Sequence, residues 1–147
     1  MSGVGIRVAA PADAARVAEL AGQLGYPSDA ATIGERIARL AADPDRLLVV
    51  ATHADAVVGW LEFGVRDSFL SGRHAEILGL VVADSARRAG VGRALVAWAE
   101  EETRRRGLRR LRLTSNAQRV EAASFYPALG FTQTKLSRVF EKGVGER

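Results

Sequence analysis

Apolar residues recur along the chain in two rhythms, a helical spacing and a strand alternation, and their order sets out an α/β architecture. Ile6 to Ala9 reads as a short strand, after which Pro11-Ala12-Asp13 opens a helix with Ala14, Val17, Ala18 and Ala21 on one apolar face. Gly25-Tyr26-Pro27-Ser28 ends that helix. Ser28 or Asp29 can cap a second helix, in which Ile33, Ile37 and Leu40 recur at helical spacing before Asp43-Pro44-Asp45 turns the chain. Strands follow: Leu47 to Thr52, a hairpin turn at Ala54-Asp55, then Ala56 to Val65 with Gly59 and Gly64 inside it. Arg66 to Gly72 reads as a loop and Ala75 to Val82 as a further strand. The next helix carries Val91, Leu95 and Trp98 on one face, with Glu100, Glu101 and Glu102 four residues ahead of Arg104, Arg105 and Arg106. Gly107 ends it. Arg109 to Thr114 alternates Leu111 and Leu113 with arginines, as a half-exposed strand would. A last helix carries Ala122, Phe125, Tyr126 and Leu129, and Gly130-Phe131 leads into a final strand ending near Glu141, with a frayed tail from Gly143.

Composition narrows the class. With 147 residues, 48% of them hydrophobic and no low-complexity stretch, residues 1–147 suit a single compact domain. The net charge is +4 and the basic residues are almost all arginine; beside so many alanines this reads as compositional bias and not as a nucleic-acid footprint. The arginines near residue 105 fit a solvated helix end, and no interleaved aromatics support binding of a single-stranded nucleic acid. Absence of cysteine excludes disulfides, thiolate metal sites and a cysteine-acyl intermediate. No His/Asp/Glu cluster has metal-ligand spacing. Neither a signal-like nor a membrane-length apolar run is present, so the expectation is a cytoplasmic protein without membrane attachment.

Candidate chemistry centres on Arg87-Arg88-Ala89-Gly90-Val91-Gly92-Arg93-Ala94, between the solid apolar run Ile77 to Val82 and an amphipathic helix. Two glycines let backbone approach a ligand, and the free N–H groups at the helix start present the positive end of its dipole, an anion cradle. The surrounding arginines favour a phosphate-bearing ligand. A dinucleotide fingerprint fails, because Leu95 stands where a third Gly or Ala is required. A nucleotide P-loop fails as well, because Arg93 and Ala94 follow Gly92 in place of Lys and Ser or Thr.

Two blocks together resemble the GNAT family of acetyl-CoA-dependent N-acetyltransferases. The family's pyrophosphate loop is matched by Arg87, Gly90 and Gly92, and its Phe-Tyr, three residues, Gly-Phe block by Phe125-Tyr126-Pro127-Ala128-Leu129-Gly130-Phe131. The resemblance is clear from Ile77 to Phe131, and the elements before it follow the family order β-α-α-β-β-β-α-β-α-β. It implies a mostly antiparallel mixed sheet of six to seven strands flanked by about four helices, with acetyl-CoA as the cofactor. The sheet would splay between the fourth and fifth strands, leaving backbone of Leu80, Val81 and Val82 for the pantetheine arm while Arg88 to Arg93 hold the pyrophosphate. Many relatives carry a cofactor-contacting Asn seven residues before the motif tyrosine. Arg119 stands there in this chain, and Asn116 is a substitute.

Transfer to an amine needs a base, a donor for the oxyanion and a proton for the departing thiolate. The resemblance assigns Tyr126 as general acid and a β-strand N–H, that of Val82 or Leu80, as the donor. Histone-acetylating relatives place their base eleven residues before the residue matching Arg87, which is Glu76 here. A water chain is the alternative base. His53 reads as a solvent-facing hairpin residue; His74 reads as a loop-end surface residue, with a substrate contact or second base as the functional alternative. The acceptor would enter between the first two helices and the loop joining the third and fourth strands, near Tyr26, Arg66, Asp67, Phe69 and Arg73. An acid-bearing amine could use Arg66 or Arg73.

Three functions follow. The first is N-acetyltransfer to a small-molecule amine by direct attack in a ternary complex. The second is acetylation of a protein lysine or N-terminus, which a wide groove would favour and a narrow pocket closed by Tyr26 and Phe69 would exclude. The third is a non-catalytic acyl-CoA-binding or nucleic-acid module. The resemblance also allows a homodimer, with the final strand as candidate edge.

Overall fold

The computed structural model describes residues 3–86, 89–115 and 120–145, and the chain divides into two compact units, Met1–Thr114 and Ser115–Arg147. In the first unit β1 (Val4–Val8) leads through a single 3-10 turn, Pro11–Asp13, into α1 (Ala14–Gly22) and α2 (Ala30–Leu40). Then come β2 (Arg46–His53), β3 (Ala56–Ser68), β4 (Gly72–Val82), α3 (Val91–Arg105) and β5 (Leu111–Leu113). The second unit holds α4 (Val120–Ala128).

Local chemistry explains the boundaries. Asp13 accepts two hydrogen bonds from the Arg7 guanidinium, at 2.8 and 2.9 Å, and one from the Ala10 N–H at 2.8 Å, which ties β1 to the start of α1. Of the two residues suited to cap α2, Asp29 does so, its Oδ1 accepting from the Thr32 N–H at 2.7 Å. Ala54 and Asp55 both take positive φ, the geometry of a tight hairpin turn between β2 and β3.

The sheet runs β1-β2-β3-β4-β5, antiparallel until β5, which joins β4 in parallel. Its core lies on both faces. On one, Ala14 and Val17 of α1 and Ile37 of α2 pack on Leu48 and Val50, with Trp60 beside them. On the other, Phe63 meets Trp98 of α3 edge to face, and α3 buries Val91, Leu95, Val96 and Ala99. Full burial of each large apolar side chain contributes about 1.5–3 kcal/mol. Gly59 permits a close approach of backbone: a Cβ there would stand 2.8 Å from the Val81 carbonyl oxygen and 3.2 Å from Val91.

Three sequence expectations are corrected. The β3–β4 hairpin is longer than its apolar alternation indicated: Arg66 and Asp67 lie on β3 and Arg73 on β4, with only 69–71 left as the turn. Cross-strand pairing carries the ladder outward, Asp67 facing Arg73 as opposite charges and Gly72 turning the chain at φ +78°. The final strand ending near Glu141 does not form. Residues 131–145 carry no regular structure and leave Leu136, Val139 and Phe140 exposed, with no strand among the described residues of their unit to pair with. The sheet therefore has five strands among the described residues, where six to seven were expected.

Candidate active site

β4 changes partners along its length. It pairs with β5 only at Ala75, Glu76 and Ile77, and residues 78–82 continue against β3 alone. A register slip marks the divergence: Phe63 faces Ile77 and Glu62 faces Gly79, so Leu78 is the extra residue of a bulge. The backbone groups of β4 that point away from β3 beyond Ile77 have no neighbouring strand among the described residues. Leu80, Val81 and Val82 belong to this stretch. Val81 is buried and the other two half-buried, so their side chains serve packing and their main chain is the free resource.

At the far end of β4 a 3-10 turn, Asp84–Ala86, leads to the loop before α3. Gly90 caps α3 with φ +81° and ψ +10°, left-handed backbone that favours glycine. The first intrahelical bond runs from the Ala94 N–H to the Gly90 carbonyl at 3.0 Å, which leaves the N–H groups of Val91, Gly92 and Arg93 without helical acceptors. Arg93 is exposed, Gly92 half-buried and Ala89 exposed. A free strand edge and a helix start at its end fit the extended arm and the anionic end of coenzyme A. Arg87, Arg88, Asn116 and Arg119 lie outside the described residues.

Glu76 projects from β4 where the pairing with β5 ends, its side chain 17% exposed. His74, two residues earlier on the same face, is buried and not a surface residue as its loop-end position suggested. Its Nδ1 stands 3.4 Å from the Gly72 carbonyl and its Nε2 3.5 Å from Glu76 Oε1. Arg66, opposite His74 on β3, places Nε 3.8 Å from the same carboxylate oxygen. A groove of about 450 Å³ lies beside this cluster, lined by Arg46, Glu62, Gly64, Val65, Arg66 and Leu78. Arg46 and Glu62 hydrogen-bond tightly across it. These two residues and Leu78 escaped the reading of the sequence. A lone carboxylate within the apolar run Gly59 to Val65 was the available signal for Glu62.

Other acceptor-side residues are more dispersed. Arg73 reaches Asp45 at 3.7 Å, and Asp67 stands on the outer hairpin. Tyr26 is 68% exposed and Phe69 fully exposed, so neither closes over the groove. Tyr126 lies in the second unit on α4, between Phe125 at 5.0 Å and Phe131 at 5.8 Å, ring centre to ring centre. Gly130 at φ +95° and the Phe131 N–H, bonded to the Tyr126 carbonyl at 3.1 Å, end this helix. Among the described residues no group of His, Asp and Glu could hold a metal ion, and no helix is long and apolar enough to cross a membrane.

Comparison with known proteins agrees with this geometry. Residues 16–131 match the model of the acetyltransferase (GNAT) family. An aminoglycoside N(6')-acetyltransferase type 1 from Stenotrophomonas maltophilia is 34% identical over 135 residues, covering 88% of this chain and 87% of that one. A Bacillus halodurans C-125 protein described as a transcriptional regulator superposes with a TM-score of 0.85 at 26% identity, over 95% of this chain and 99% of its own. The aminoglycoside N-acetyltransferase AAC(6')-Iy, solved in complex with CoA, superposes with a TM-score of 0.85 at 18% identity, over 97% and 96% of the two chains. An open strand edge leading to a helix-start cradle, in a chain matched along most of its length, defines the class: this chain belongs to the GNAT family and is an acetyl-CoA-dependent N-acetyltransferase.

Proposed function

We propose that the chain acetylates a primary amine on a small molecule, by direct attack of the amine on the bound donor in a ternary complex, and that residues 1–147 act as one transferase domain. The family match running from 16 to 131, through both units, supports the single domain. The name of the Stenotrophomonas relative supports a small-molecule acceptor. Absence of cysteine supports direct transfer over an enzyme-bound thioester.

Acetyl-CoA supplies an activated acetyl thioester. Glu76 takes the amine's proton, a role supported by the observation that carries this reading: a half-buried carboxylate beside a groove, at the point where β4 loses β5. A β4 N–H, that of Val82 or Leu80, polarises the carbonyl oxygen. Tyr126 protonates the leaving sulfur, which its place in the Phe125 to Phe131 block supports. Arg87 to Ala94 hold the pyrophosphate through backbone N–H groups, with Asn116 and Arg119 as further contacts. Tyr26, Arg66, Asp67, Phe69 and Arg73 form the acceptor side.

The exposure of Tyr26 and Phe69 favours a second reading, in which the amine belongs to a protein lysine or N-terminus, since neither side chain closes a pocket against a chain. A panel of small amines and lysine peptides, followed by release of free CoA thiol, separates the two. Turnover of small amines that falls by about 10²-fold or more in Tyr126→Phe supports the first reading and its acid. Turnover confined to peptides transfers the function to the second, and an unchanged Tyr126→Phe removes the tyrosine from the mechanism.

A further inference from the structure

We infer that the preferred acceptor is a zwitterion, an amine that also carries a carboxylate or phosphonate, and that Arg66 is the residue selecting it. The inference rests on the proposed site and concerns what that site prefers. Two arginine–glutamate pairs border the groove on one face of the sheet, and they differ. Arg46 and Glu62 are locked in a tight hydrogen bond and neutralise each other. Arg66 and Glu76 are apart, with 3.8 Å between Nε and Oε1, too long for a charge-assisted hydrogen bond, which spans about 2.7–2.9 Å. The Arg66 side chain is 60% exposed and keeps its forked donors available, while Glu76 is largely buried and presents a single anionic point.

A zwitterion complements a loosened ion pair. Its amine meets Glu76, two residues before the bulge at Leu78, and its acid group takes the guanidinium face of Arg66 in bidentate fashion. Charge counting along the groove agrees. The ionised lining is Arg46, Arg66 and Glu62, one positive charge in excess, and adding Glu76 only brings it to balance. A polycation with several ammonium groups needs unpaired carboxylates, and each carboxylate here already faces an arginine. A volume of about 450 Å³ suits a small acceptor.

The test compares three acceptors at saturating acetyl-CoA: an alkylamine, an aminocarboxylate of the same chain length, and an aminoglycoside, each with the native chain and with Arg66→Gln. The expected result is a kcat/KM about tenfold or more higher for the aminocarboxylate than for the alkylamine in the native chain, a preference abolished in Arg66→Gln through a rise in KM for the aminocarboxylate. An aminoglycoside or alkylamine used as well as the aminocarboxylate by the native chain overturns the inference and leaves the N-acetyltransferase reading intact. Turnover of none of the three overturns the proposed small-amine function. Calorimetric titration of the aminocarboxylate into the chain with CoA present then decides the inference by itself: binding weakened tenfold or more by Arg66→Gln upholds it, and no binding, or binding indifferent to the substitution, ends it. Thermal unfolding of both proteins shows whether the variant is folded.

Discussion

His74 Nε2 stands 3.5 Å from Glu76 Oε1 on one face of β4, buried and without a hydrogen-bond partner of its own. The imidazole and the Arg66 guanidinium both stand within 4 Å of the Glu76 carboxylate, whose side chain is 17% exposed. In Glu76→Gln the amide cannot take the amine's proton, and kcat is expected to fall by about 10²–10⁴-fold. Because the side chain is assigned no contact with the donor, KM for acetyl-CoA should stay within about twofold. Steady-state release of CoA thiol measures both, and an unchanged kcat would hand the role to a water chain.

Gly59 sets how closely β3, β4 and α3 approach. In Gly59→Ala the added Cβ would meet the Val81 carbonyl oxygen at 2.8 Å, Val91 at 3.2 Å and Leu95 at 3.4 Å, two of them on the helix whose start is the proposed anion cradle. Backbone cannot yield as a side-chain tip can, so a loss of about 1–3 kcal/mol is expected. Denaturant unfolding reads it as a lower midpoint at unchanged slope. A midpoint equal to the native one would mean that the layers shift freely.

Acid stability follows from two carboxylates. Hydrogen bonds from Arg7 hold the Asp13 carboxyl below its ordinary 3.8. For Glu102, burial pushes the value up, but hydrogen bonds from Arg105 and Arg106 outweigh it and hold the group below 4.5. Both values are lower folded than unfolded, so each group adds stability that is complete above its ordinary value and is lost as pH falls through the folded one. Asp13→Asn should cost about 1 kcal/mol at pH 7, modest because the Arg7 side chain is half-exposed, and progressively less as pH falls from the ordinary value through the lower folded one. Melting curves across that range check the convergence, and a penalty that persists at low pH would contradict it.

Gly90 holds left-handed backbone with open space around its missing Cβ. Gly90→Ala therefore meets a conformational cost of about 1–2 kcal/mol and no steric clash. Relief of that strain would re-aim the N–H groups of Val91, Gly92 and Arg93. KM for acetyl-CoA is expected to rise by about tenfold with the acceptor KM unmoved. Loss of stability alone, with both constants native, would count against the cradle.

Much of this was legible in the residues. Helix starts announced themselves through Pro11, Asp29 and Gly90, and the hairpin through Ala54-Asp55, because each is a local requirement of the backbone. Where cross-strand partners decide, sequence was silent. Arg66, Asp67 and Arg73 carry no apolar alternation, so their strand character appears only once each is seen opposite its partner. His74 was misplaced for the same reason: it lies inside β4, paired with Arg66, and not at a loop end. Leu136 to Phe140 shows the converse, a segment read as part of a final strand that pairs with no strand among the described residues.

The three-residue pairing of β4 with β5 leaves a seam in the sheet, and a donor laid along residues 78–82 would close it. Any ligand that binds only the folded chain raises its stability by mass action, about 2.7 kcal/mol at a hundredfold excess over Kd. A donor bound along that seam would therefore lower the share of open chain that a protease can attack, in step with how far its concentration exceeds Kd.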